Sequence, residues 1–100
     1  MINPGMAEVI RGQVLELLST DFDGKLSSRV LLLMLNQAGH SLTKADVSSI
    51  LRYLAGAGKE LIDFKKHDNE TWYAMLLPKG RDLLEGRIEV TGVMCPYCGD

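Results

Sequence analysis

The sequence predicts a small α+β domain, mainly helical with a two-stranded β-hairpin, and three observations predict it. Up to Gly58 the apolar residues recur at the three- and four-residue spacing of amphipathic helices. Beyond it, two short stretches rich in β-branched and aromatic residues flank a polar loop. One hundred residues, 46% hydrophobic and 24% charged, suffice for one modest core and not for two.

Asn3-Pro4 reads as an N-cap with proline at the first helical position. Met6, Ile10, Val14, Leu17 and Leu18 then form an inward stripe. Residues 19–24, polar and ending in Gly24, read as a loop. Ser27 or Ser28 caps a second helix, RVLLLMLNQ, that stops at Ala38-Gly39. Its preference for Leu and Met over β-branched residues favours helix over strand. A helix apolar on nearly every side is central to a core or part of a subunit contact. The third helix begins at Thr43, which with Asp46 approximates a capping box. It buries Val47, Ile50, Leu51 and Leu54 and ends at Gly58. Leu61–Lys65 and Thr71–Leu77 are the predicted strands, joined through His67-Asp68-Asn69-Glu70. Pro78 opens a short last helix closed by Gly86. Residues 1–86 are thus expected to form the domain, and residues 87–100, without sustained pattern, a flexible C-terminal tail.

Three helices, a hairpin and a short C-terminal helix follow the order of a winged helix-turn-helix. In such an arrangement the third helix lies at the surface where it can enter a DNA major groove, and the hairpin becomes the wing. From about Ser27 to Gly86 the chain resembles winged-helix proteins of the ArsR-like regulator type. The stretches LRYLAGAGKELIDF and WYAMLLPKGRDLLEG carry that resemblance. The whole chain is similar to short proteins of Mu-like phages and prophages, through Glu85-Gly86-Arg87 followed by Thr91-Gly92-Val93. The resemblance implies a small phage protein of the host cytoplasm, expected to regulate a phage operon or serve a DNA-associated step such as packaging. The apolar second helix together with the habit of the ArsR-like class makes a dimer the expectation. Leu77 departs from the pattern, standing where many relatives place a capping threonine. No cysteine or histidine lies within a predicted helix, so the metal response of some ArsR proteins is not expected.

Net charge is −2, which argues against coating of nucleic acid by bulk attraction. Its distribution is uneven. Residues 25–66 hold seven Lys/Arg against three acids, whereas both flanking segments are acidic. On the third helix Lys44, Ser48, Ser49 and Arg52 are left facing outward. Serines serve several bases, Arg52 suits guanine, and Lys44 suits a phosphate. Lys65, Lys66 and His67 lead into the wing and suit backbone phosphates. A merely solvated face is the plain alternative for both sets. A protein-interaction adaptor on the same scaffold is the competing function. Of Trp72 and Tyr73, which face opposite ways on a strand, Trp72 is expected in the core or a dimer contact.

Cys95-Pro96-Tyr97-Cys98-Gly99 has the spacing of a zinc knuckle. Cys95 and Cys98 supply half of a tetrahedral zinc site, which a second chain's tail would complete. Reduced, unliganded thiols are the plain alternative. No catalytic constellation is legible, and the sequence reads as non-enzymatic. Val30–Leu35 is too short to cross a bilayer, and the N-terminus lacks the pattern of a signal peptide, so a cytoplasmic protein is expected.

Overall fold

The computed structural model describes residues 4–20, 25–56, 58–66 and 72–96. It is a mixed α+β fold of four helices and a three-stranded antiparallel sheet. In chain order the elements are α1 (Pro4–Thr20), β1 (Lys25–Ser27), α2 (Ser28–Gln37), α3 (Lys44–Ala55), β2 (Ile62–Lys66), β3 (Trp72–Leu76) and α4 (Pro78–Leu84). The strand order is β1-β3-β2. The sequence pattern predicts two strands. The third, β1, is only three residues long, and pairing with β3, which sets Lys25 opposite Met75 and Ser27 opposite Tyr73, makes it a strand. A segment that short has no alternation to read.

The core joins all the layers. Ile10, Val14, Leu15 and Leu18 of α1 meet Leu31 and Leu35 of α2, Leu51 and Leu54 of α3, Ile62 and Ala74 of the sheet, and Leu83 of α4. Met6, expected on the inward stripe, is exposed, so that stripe begins one turn later at Ile10. On α2 only Leu31 and Leu35 are buried, while Val30 and Leu33 are 40% and 58% exposed. The α2 helix therefore lies at the edge of the core and presents an apolar flank.

Local chemistry fixes where α3 sits. The Val30 N–H donates to the Ser27 hydroxyl at 3.2 Å, capping α2. After Gly39, which takes a left-handed φ of 106°, the Asn36 amide spans the connection to α3. Its Nδ2 donates to the Leu42 carbonyl at 3.2 Å and its Oδ1 accepts from the Leu42 N–H at 2.8 Å. His40 Nε2 lies 2.7 Å from Gln13 Oε1, tying the same connection to α1. Downstream, α3 ends at Ala55 with Gly56 as its cap in extended backbone. Gly58, expected as the stop, instead turns the chain toward β2 with φ 86°. The Leu61 N–H then donates to the Leu54 carbonyl at 3.0 Å, seating the start of β2 against the end of α3.

The stretch 87–100, expected as a flexible tail, is packed as far as residue 96. Residues 97–100 lie outside the described residues. Val90 and Val93 bridge one another, Val93 is buried, and Ile88, Val90 and Cys95 pack on the core. The Met94 N–H donates to the Glu8 carbonyl at 3.1 Å. This close approach needs Gly12, because a Cβ there would run into the Met94 carbonyl. No periodicity announces such a segment, since its contacts are a turn and bonds to residues far away in sequence. Among the described residues no helix is long and apolar enough to cross a membrane.

Candidate nucleic-acid interface

The N-terminus of α3 is capped from both sides. The Thr43 hydroxyl accepts from the Asp46 N–H at 3.2 Å, and the Asp46 carboxylate accepts from the Thr43 N–H at 3.0 Å. The Thr43 backbone N–H, helped by its hydroxyl, holds the Asp46 carboxyl below the usual carboxylate range. The box satisfies two donors at the helix start and fixes the direction in which the helix leaves the turn.

With Val47, Ile50, Leu51 and Leu54 facing the core, the opposite side of α3 faces water. Lys44, Ser49 and Arg52 are exposed and Ser48 is half-buried. Lys44, Ser48 and Arg52 follow at four-residue spacing and so form one ridge, with Ser49 beside it. Among the described residues, neither Lys44 nor Arg52 makes an ion pair. Eight residues at 1.5 Å each separate the two cations by about 12 Å along the axis. That is close to the width of the DNA major groove, about 12 Å. Such a ridge can set one cation toward each backbone while the serines face base edges.

The second set divides. Lys65 and Lys66, at the far end of β2, are exposed. Lys65 is paired with Asp63 at 3.3 Å on the same strand face, so its charge is partly offset. Lys66 lies 5.9 Å from the Trp72 ring centroid on the other face. His67 lies outside the described residues. The start of β2 meets the end of α3, whereas Lys65 and Lys66 stand at the strand's other end.

Strand pairing adds a residue that the sequence pattern does not single out. Lys25 on β1 stands above the Tyr73 ring at 4.9 Å and, with Lys65, Lys66, Asp63 and Met75, lines a hollow of about 310 Å³. Only the β1–β3 register brings it there, and a non-local pairing leaves no mark in the local pattern. Trp72 is half-buried and stacks on Phe64 with centroids 4.6 Å apart, while Tyr73 faces the hollow. The packing role expected for Trp72 therefore fits its position better than base stacking does.

The CxxC segment lies apart from this face. Cys95 is disulfide-bonded, with its Sγ 3.6 Å from the Leu84 carbonyl oxygen. A disulfide sulfur carries no thiolate, so in this state Cys95 is neither the zinc ligand nor the reduced thiol that the spacing suggests. Cys98 lies outside the described residues. Among the described residues no group of three His, Cys, Asp or Glu side chains converges to hold a metal ion. No polar or charged residue there is buried; the one buried side-chain polar atom without a partner is Arg11 Nε.

Comparison with protein-family models, with curated proteins and with solved structures returned no match to the chain. The functional reading therefore rests on the geometry of α3 and the sheet.

Proposed function

We propose that the chain is a winged-helix DNA-binding protein that lays α3 in the major groove and reaches the backbone with the β2–β3 hairpin. The observation that carries the reading is the ridge Lys44–Ser48–Arg52, whose two cations are held outward by a doubly capped helix and make no ion pair among the described residues. Exposed cations of this kind add little to stability and are available to phosphates. The order of helix, helix and hairpin supports the winged-helix assignment, with β1 closing the sheet beside the wing. On this reading the protein is a non-enzymatic regulator or packaging-associated factor of the phage type.

A homodimer belongs to the proposal. Val30 and Leu33 on the outer side of α2 offer the apolar contact that would join two copies. The same exposed pair favours the competing reading, an adaptor that docks another protein through α2 and does not bind DNA.

Titration with a random-sequence duplex at low and then higher salt tests the proposal. Micromolar binding that fades steeply with added salt is the expected result. Absence of binding at low salt would reject DNA contact and leave the adaptor.

A further inference from the structure

We propose that the groove between α1 and residues 88–96 docks a basic amphipathic segment of a partner protein. The groove encloses about 1060 Å³, at the upper end of cavities that take small molecules, about 300–1,000 Å³, and room enough for a chain segment. Glu8, Glu16 and Glu89 line it, and among the described residues no Lys or Arg does. None of these three carboxylates makes an ion pair among the described residues. Between them the lining is mixed, with Gln13 and Thr91 beside the apolar Val9, Ile88 and Met94, the last 52% exposed.

Charge complementarity names the occupant. Three carboxylates beside Val9, Ile88 and Met94 repel an acidic segment and reward one with cations beside an apolar stripe. Glu8 and Glu16 are two turns apart on α1, about 12 Å along the axis. A helical partner would meet them with cations seven or eight residues apart. An exposed methionine adapts to apolar side chains of differing shape, which suits docking. A second copy is the weaker candidate. Its exposed cations are spread over β1, α2, α3, β2, α4 and residue 87, and none of them lines this groove among the described residues.

Fluorescence anisotropy with a labelled synthetic Lys/Leu amphipathic peptide, set against its Glu/Leu counterpart, tests the groove. The Lys/Leu peptide is expected to bind at low salt and the Glu/Leu peptide not to. Glu8→Lys combined with Glu89→Lys should weaken binding at least about tenfold, whereas Glu60→Lys, outside the groove, should leave it unchanged. Met94→Ser should weaken binding without altering the net charge of the groove. Equal binding of both peptides, or binding indifferent to the Glu8/Glu89 reversal, would overturn the proposal. So would absence of binding, or self-association in sedimentation that the same reversal abolishes, which would assign the groove to a second copy. Duplex affinity measured on the same variants keeps the outcome separate from the DNA reading.

Discussion

Arg11 and Arg52 are both helical arginines on neighbouring helices, and their surroundings differ in kind. The Arg11 guanidinium lies 3.7 Å above the Tyr53 ring and donates from Nη1 to the Gly92 carbonyl at 2.9 Å. The Tyr53 hydroxyl donates to the Thr91 carbonyl at 3.2 Å, and Lys59 stands 4.5 Å from the same ring. Gly92 completes the seam with φ 88°, and a Cβ there would strike the Tyr53 hydroxyl. Arg52, one residue before Tyr53, is exposed and without an ion pair among the described residues. Enclosure assigns Arg11 to structure: its cation braces α1, α3 and the 91–92 turn together. Arg52, exposed and without an ion pair among the described residues, is the ligand contact of the proposed reading. The seam holds the helix, and the flank presents it.

That division predicts which substitutions move stability and which move binding. Gly12→Val should have the largest effect on folding. Its side chain would push against the Met94 carbonyl and cost about 1–3 kcal/mol, as overpacking does. The check is chemical denaturation, with hydrogen exchange expected to rise first in residues 88–96. Unchanged stability would mean that the seam is not closed in solution. Thr43→Ala should cost about 1 kcal/mol by removing the cap. The Asp46 half of the box predicts a pH dependence as well. Because the folded state lowers its pKa from 3.8, its contribution is fully present above that value and is lost as pH falls through the lower folded value. Acid unfolding of Asp46→Asn should therefore set in less steeply than that of the parent. The smallest effect on folding belongs to the flank: Lys44→Ala and Arg52→Ala should each stay within about 0.5 kcal/mol. A larger drop in thermal or chemical stability would return those cations to structure and blur the contrast with Arg11.

The same contrast explains what can be read from the chain itself. Ser27, Thr43 and Asp46 are legible because a cap is a contact over three residues, and the outward ridge of α3 follows from the inward spacing of Val47, Ile50, Leu51 and Leu54. Lys44, Ser49 and Arg52 are accordingly exposed where the pattern puts them. Lys25 and the seam are illegible because they depend on partners far away in sequence. β1 is a strand only beside β3, and residues 88–96 pack against Glu8, Arg11, Gly12 and Tyr53, far away in sequence. Gly58 misleads for a related reason: two glycines close α3, and the nearer, Gly56, caps it in extended backbone while Gly58 makes the following turn. Val30 and Leu33 show the limit of an apolar run, which cannot say which of its sides finds the core.

The most direct test of the central claim is the slope of duplex affinity against salt concentration, on logarithmic axes, for the parent and for Lys44→Ala combined with Arg52→Ala. Removing one phosphate-binding cation makes that slope shallower by about 0.9. If both cations meet the backbone, the double variant should bind more weakly at low salt, with a slope shallower by about 2. An unchanged slope and affinity would contradict the account, because the flank of α3 would then face something other than DNA.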